Sequence, residues 1–264
     1  MFFEELNYKE KTIPETILGY SAFVAEPFLG HRSMLYERDL YDNPQAIADV
    51  IVESYNQGVR AINIFNDPQL LKAYDLACEQ GCKMKIIATI GKTDIDYLNP
   101  NYEIAKEADW EEDIELFSTY DCPVMLVDEF IVDAYDWKLT SKILSRINDA
   151  GSLSGLVTSF PLRTTTLIPE NLDMDLFDFY MVPFNAISYM MDITAFNSAQ
   201  REEFKQKLTS LNKKVIASRI FACGVLKPKE AFEFYKSIDY IDLIAVGVAK
   251  VEEAREDFEL LKEY

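Results

Sequence analysis

Apolar residues fall along this chain in two alternating patterns: short unbroken runs, and longer stretches in which they recur at every third or fourth position. Thr16 to Val24 is the first run. Asn43-Pro44 then opens a helical stretch, a capping side chain followed by a proline whose fixed φ suits the first turn. Ile47, Val50, Ile51 and Tyr55 form its stripe and Gly58 stops it. Val59 to Phe65 is the second run, and Asp67-Pro68 opens a helix on Leu71, Tyr74 and Cys78 that ends at Gly81. Lys85 to Ile90 is the third run. After a polar loop, Asp109-x-x-Glu112 has the form of a capping box ahead of Ile114 and Phe117.

The second half continues in the same way. Val124 to Val127 is a fourth run, and Trp137 to Ala150 is a helix on Leu139, Ile143, Leu144 and Ile147. Leu156 to Phe160 is the fifth run, followed by a segment, Pro161 to Asp178, whose two prolines leave room for only a stunted helix. Phe179 to Phe184 is the sixth run. Ser198 to Asn212 is a helix with Phe204, Leu208 and Leu211 inward, and Val215 to Phe221 is the seventh run. A helix over Pro228 to Lys236, an eighth run from Ile241 to Val246, and a helix from Glu252 to Glu263 complete the pattern.

Strands that are apolar throughout, not at alternate positions, are buried on both faces, as in parallel sheets covered by helices. Eight such strands alternating with helices predict an α/β chain, a single-domain (β/α)8 barrel of TIM type over 1–264, with 1–11 as an N-terminal extension. The length of 264 residues agrees, since such barrels typically take about 250. An open doubly wound sheet would carry a glycine-rich phosphate loop after its first strand. Ala25 to Gly30 contains no G-x-G-x-x-G, which favours the closed barrel.

Charge narrows the partners. With 45 acidic and 26 basic side chains the net charge is −19, which argues against nucleic acid and anionic membranes, because both need a basic footprint. No apolar run is long enough for a transmembrane helix, and Met1 to Lys11 carries three glutamates with no apolar stretch behind it, unlike a signal peptide. The expected location is the cytoplasm, and the expected partner a small molecule. Cys78, Cys82, Cys122 and Cys223, with His31 as the single histidine, read as buried thiols more readily than as a zinc or redox site.

Several segments resemble the aldo-keto reductase superfamily. Gly58-Val59-Arg60-Ala61-Ile62-Asn63 is similar to that family's second strand, and Ile87-Ala88-Thr89-Ile90-Gly91 to its third. Val182-Pro183-Phe184-Asn185 resembles its sixth-strand signature, Val215-Ile216-Ala217 through Gly224-Val225-Leu226 its seventh strand and turn, and Val246-Gly247 with Glu252-Glu253 its eighth strand and last helix. A fainter likeness around Ser21 to Arg32 is to uncharacterised archaeal barrel proteins and implies no function. The superfamily resemblance implies NADPH-linked carbonyl reduction by a tyrosine acid tuned by lysine and aspartate, beside a substrate-orienting histidine. In this register the aspartate position holds Asn63, the tyrosine position Pro68, the lysine position Ile90 and the histidine position Asp128. The glutamine that would hold the nicotinamide amide is Met181, and the asparagine that would touch adenine is Asp257. Proline has no proton to give and isoleucine no charge to tune a neighbour. The tetrad is therefore expected to be absent and ordinary reductase chemistry lost, so an NADPH cofactor is disfavoured.

Chemistry in such a barrel sits at the C-terminal ends of the strands. Asp128 and Glu129, directly after the fourth run, are the catalytic candidates. Asp128 is expected to aim into the mouth and Glu129 toward the helices, and the pair suits a general base or a share in a Mg²⁺ site. Arg219, in the seventh run, needs a partner: Asp128, Glu26 or an anionic substrate. The turns at Gly224 and Gly247, with Lys250 nearby, suit an oxyanion, although Glu252 and Glu253 oppose one. Asn63, Asn185 and Thr158 are expected to offer neutral hydrogen bonds to substrate. Lys92, His31 and Arg163 read better as loop residues, and Phe177, Phe179, Tyr180, Phe184 and Tyr189 as core packing. Three functions follow: an acid–base enzyme acting on a small polar or anionic metabolite, an atypical NAD(P)H-linked reductase with an acid such as Tyr189, or a barrel that binds without turnover.

Overall fold

A computed structural model describes residues 2–97, 99–193 and 198–264. The chain begins with an antiparallel hairpin, β1 (Glu5–Tyr8) and β2 (Lys11–Pro14), whose turn places Lys9 and Glu10 at positive φ. Eight parallel strands follow: β3 (Thr16–Leu18), β4 (Ala61–Phe65), β5 (Lys85–Ile90), β6 (Val124–Val127), β7 (Leu153–Val157), β8 (Phe179–Pro183), β9 (Lys214–Ser218) and β10 (Leu243–Val246). They pair in chain order, and β10 pairs with β3 to close the barrel. The expected (β/α)8 architecture is what the chain adopts.

Two cores result. One lies between the strands and the helices and holds most of the buried side chains, Phe204, Leu208, Ile143 and Phe258 among them. The other fills the barrel with Ile17, Ala61, Ile87, Val124, Leu126, Leu153, Phe179, Met181, Ile216, Leu243 and Ala245. Successive strand residues face opposite sides, so the inward set recurs every second position. At Gly155 the interior leaves no room: an added Cβ would lie 2.5 Å from a Leu126 methyl and 2.7 Å from the Phe179 carbonyl.

The hairpin plugs the N-terminal end. Ile13 joins the barrel-interior core, the Tyr8 ring meets Phe179 edge-on at 5.9 Å, and Lys9 pairs with Asp178 at 2.5 Å. Thus the segment read as an extension forms most of a lid over the barrel floor.

Helix starts follow the caps in the sequence. Asn43, Asp67 and Asp109 accept from the backbone N–H of Ala46, Leu70 and Glu112. The differences are local. β3 and β9 are shorter than the apolar runs they belong to, because the chain turns into the mouth after Leu18 and Ser218. β7 begins earlier than its run, at Leu153, because Ser154 and Gly155 hide a strand in which bulk would not fit. Pro161–Asn171 is a full helix of 11 residues, since Pro161 occupies the first turn, where its missing N–H costs nothing, and Pro169 falls near the end. The stretch Glu26 to Tyr41, read as loop, contains a 3-10 turn at Pro27–Leu29 and a helix at His31–Leu40.

Candidate functional site

Inward positions continue past the strand ends and build the C-terminal mouth. Gly19, Asn63, Thr89, Asp128, Val157, Met181, Ser218, Ala245 and Gly247 line its floor, and the 27–36 segment and the loop after β9 form its walls. The space they enclose is about 370 Å³, toward the lower end of the ~300–1,000 Å³ usual for small-molecule sites. The mouth is not filled by side chains.

Asp128 ends the inward series Val124, Leu126, Asp128 and is 1% exposed. Its Oδ1 accepts from the Phe130 N–H at 3.0 Å and so caps the short Glu129–Val132 helix. Burial raises its carboxyl to about 7; Lys92 opposes the rise while Glu129 and Glu26 add to it. A carboxyl of this kind exchanges its proton near neutral pH.

Two buried ion pairs flank it. Lys92 Nζ meets Glu26 Oε1 at 2.8 Å, with the Tyr20, Phe65 and Phe130 rings each within 5.8 Å of the ammonium. Although burial works against its charge, Tyr20, Glu26, Asp128 and Glu129 hold Lys92 well above the usual lysine range. Its loop is fixed from beneath by Asp113, which accepts from the Gly91 N–H at 2.7 Å and from Asn66 at 2.9 Å. Lys92, read as a solvated loop lysine, is instead largely buried and acts on Asp128 from outside the cavity lining. Tyr20 packs edge-on against Phe65 at 5.0 Å, lines the mouth, and is kept protonated by burial despite Lys92.

In the second pair Arg219 Nη2 reaches Glu129 Oε2 at 2.8 Å and Oε1 at 3.2 Å, and Ser159 Oγ at 3.2 Å. Arg219 sits just past β9 at φ 54°, a left-handed backbone that turns its side chain across the mouth. The Phe28 and Tyr97 rings lie 4.4 and 5.3 Å from Cζ. Its partner is thus Glu129, neither Asp128 nor Glu26. Glu129 faces the mouth with Asp128 instead of the helices, because the chain bends into a helical turn at once after β6.

The remaining candidates divide. Asn63 lines the mouth, but its amide donates to the Ile87 carbonyl at 2.7 Å and to Thr89 Oγ1 at 3.0 Å. Thr158, one position beyond inward Val157, points outward and donates to Asp133, a carboxyl raised by burial to about 7. Asn185 accepts from the Tyr189 N–H and donates to the Tyr189 carbonyl, which ties down its loop. The structure therefore brings Asp128, Glu129, Arg219 and Asn63 together and leaves Thr158 and Asn185 outside the cavity lining. Phe177, Phe179, Tyr180 and Phe184 are core, whereas Tyr189 is partly exposed; His31 and Arg163 are exposed. Tyr20 and Ser159, each two residues past a strand end, were missed although Ser159 continues the inward series Leu153, Gly155, Val157; Phe28 and Tyr97 are placed by loops and carried no sequence signal.

Of the two glycine turns expected to suit an oxyanion, the one at Gly224 is occupied by the chain itself, whereas the space over Gly247 is open. Arg32 lies over Gly224, where an added Cβ would come 2.4 Å from its Cζ, and donates to the Gly224 carbonyl at 3.3 Å. The Ala249 N–H, at the start of the last helix, donates to Glu253 Oε2 at 2.9 Å. Among the described residues no cluster of three or more His, Cys, Asp or Glu is arranged to hold a metal ion. Glu129, committed to Arg219 and Ser159, does not fit the Mg²⁺ role. The four cysteines are free thiols, Cys82 and Cys122 buried, Cys223 half-buried and Cys78 exposed. No described helix is long and apolar enough to cross a membrane.

No family model and no curated protein sequence matches the chain. Solved structures do. A putative aldo-keto reductase from Pseudomonas aeruginosa aligns over 96% of this chain and 92% of its own at TM-score 0.63 and 14% identity. An aldo/keto reductase from Brucella melitensis aligns over 98% and 93% at 0.61 and 8% identity. One from Klebsiella pneumoniae, in complex with NADPH, aligns over 98% and 89% at 0.60 and 9% identity. At such identities the likeness is one of fold: the chain has the barrel that aldo-keto reductases have.

The cavity does run from Met181, the nicotinamide-facing position in the resemblance, to Asp257, the adenine-facing one. The residues along it do not fit an anionic dinucleotide. Met181 offers a thioether in place of an amide, Glu253 takes the Ala249 N–H just ahead of the last helix and adds a carboxylate there, and Asp257, raised by burial and Glu253 to about 7, faces the far end. Arg32 and Lys227 supply positive charge there, with Arg32 already bonded to Gly224.

Proposed function

We propose that this chain is an acid–base enzyme of the cytoplasm, acting at the barrel mouth on a small polar or anionic metabolite. One observation carries the reading: Asp128 is a buried carboxyl with its proton poised near neutral pH, with Lys92 acting on it and a cavity of small-molecule size, lined also by Arg219, in front of it. In the step this geometry supports, Asp128 as carboxylate takes a proton from a carbon next to a carbonyl. The C–H electron pair moves into the new C=C bond and the carbonyl π pair onto oxygen. Tyr20, on the cavity wall, meets the negative charge that develops there, and Lys92 behind it favours that charge from a distance. Returning the proton to the α-carbon re-forms the carbonyl and restores the catalyst. Arg219 holds the negative charge of the substrate itself.

The test is proton exchange. In D₂O at pH 7, small 2-oxo and 3-oxo acids incubated with the protein are expected to lose α-proton signal in ¹H NMR faster than in buffer. Asp128→Asn, which keeps the cap on Phe130, is expected to slow that exchange at least ~100-fold. Exchange unaffected by the substitution, or none across the panel, would sink the reading.

A second reading, a reductase using NAD(P)H, is favoured by the length of the cavity toward Asp257, and Tyr20 would then replace Tyr189 as the candidate acid. The account predicts no saturable rise in NADPH fluorescence at micromolar protein; saturation there would replace the first reading with the second.

A further inference from the structure

We infer that the cavity takes a zwitterionic acid, its carboxylate at Arg219 and its ammonium at Glu253 and Asp257 on the last helix, Val251–Lys262. Such a ligand is a narrower class within the proposed function: an oxo acid with an amino group remote from its carboxylate. Of that reading it requires only that Asp128 be a carboxylate, and turnover is not required.

The anionic end of the ligand is set by what Arg219 leaves unused. Its side chain is 8% exposed and lines the cavity, and Nη2 is taken by Glu129 and Ser159. Nη1 is buried and has no hydrogen-bond acceptor among the described residues. The Tyr97 hydroxyl helps to hold the guanidinium charged, but its own short bond is to Ser159 at 2.6 Å. A buried guanidinium N–H without an acceptor is costly, and a ligand oxygen in the cavity removes that cost.

The cationic end is set by carboxylates without a counterion. Glu253 and Asp257, one helical turn apart, share the face of the last helix that lines the cavity. Glu253 Oε2 accepts from the Ala249 N–H at 2.9 Å. The groups that act on Asp257 are the carboxylates of Glu253 and Glu256, with neither a cation nor a hydrogen-bond donor among them. Arg32 is committed to the Gly224 carbonyl at 3.3 Å and the Tyr36 hydroxyl at 3.5 Å, and Lys227 is exposed to water. An ammonium in the cavity is the partner that Asp257 lacks. Arg219 does not act on Asp257 either, so the two seats are separate. The charge of the whole lining favours filling both with one molecule. Arg32, Arg219 and Lys227 face Asp128, Glu129, Glu253 and Asp257, three positive against four negative side chains, while Lys92 and Glu26 behind them cancel. A simple anion adds to that excess, whereas a zwitterion answers each local charge and adds none.

The experiment is calorimetric titration of the whole chain at pH 8.0 with 4-aminobutanoate, 6-aminohexanoate and 8-aminooctanoate, each beside the alkanoate and the alkylammonium of the same length. At the length that binds best, the amino acid is expected to bind at least about tenfold more tightly than its alkanoate. The isomer 2-aminohexanoate, with the same two charges at one end, is expected to bind more weakly than 6-aminohexanoate. Asp257→Asn, which breaks no hydrogen bond of the fold, is expected to bring the amino acid down to about the affinity of its alkanoate. The same variant is expected to resist urea at least as well as wild type, because repulsion from Glu253 is removed. Arg219→Gln made together with Glu129→Gln, which removes the ion pair whole, is expected to lose the preference for the amino acid over its alkylammonium. No amino acid tighter than its alkanoate, a preference that survives Asp257→Asn, or tighter binding of 2-aminohexanoate would each overturn the inference. The proposed function fails separately: absence of α-proton exchange with this binding intact counts against turnover alone, and exchange of plain oxo acids without it leaves the acid–base reading in place.

Discussion

The same eight strands end in two differently built faces. At the floor, a hairpin lays Ile13 and Tyr8 across the barrel interior, and the charge nearby, Lys9 with Asp178, lies at the edge with Lys9 mostly in water. At the mouth, the next inward residues after the apolar layers are Asn63, Thr89, Asp128 and Ser218, and two ion pairs are shut away from solvent above them. The floor stabilises by removing apolar surface from water. The mouth spends part of that stability on buried charge, and a pocket of small-molecule size is what it gains.

The contrast is sharpest for substitutions that remove one partner. Arg219→Ala leaves Glu129 buried beside a raised Asp128, and is expected to lose about 3–5 kcal/mol in urea unfolding. Ile13→Ala, which opens a hole in the floor, is expected to lose about 2–5 kcal/mol while leaving α-proton exchange unchanged. If Ile13→Ala alters the exchange, the two ends are coupled and the division fails.

A pH-dependent difference comes next. Because the folded protein holds a proton on Asp128 to about 7 and an unfolded aspartate releases it near 3.8, the folded state binds more protons between those values, and stability declines as pH rises through that window. Asp133 and Asp257 contribute in the same sense, so the difference between variants isolates Asp128. Asp128→Asn is expected to match wild type near pH 4 and to exceed it by about 4 kcal/mol at pH 8 in parallel denaturant melts. The smallest effect is expected at the floor's rim: Lys9→Ala, which breaks a largely solvated pair, should cost about 1 kcal/mol or less.

How much was legible in the sequence follows the same division. The barrel was readable because each strand and helix carries its own local signal: an apolar run, an Asn-Pro or Asp-Pro start, a glycine stop. Asp128, Glu129, Arg219 and Asn63 were readable too, because strand ends map directly onto the mouth. Thr158 failed as a site residue by one position of strand parity, which an uncertain start for β7 concealed. The pairing of Glu129 with Arg219, and of Lys92 with Glu26, depends on loops that cross from one strand to another. Phe28 and Tyr97 come to Arg219 by the same route. No local pattern records where such loops meet.

The claim underlying all of this is that the mouth holds a carboxyl able to exchange its proton near neutrality. ¹³C NMR titration of aspartate-labelled protein, with Asp128 assigned by comparison with Asp128→Asn, measures it directly. The account predicts a carboxyl signal missing from that variant and titrating with a midpoint at about 7. A midpoint in the ordinary aspartate range, near 4, would contradict it.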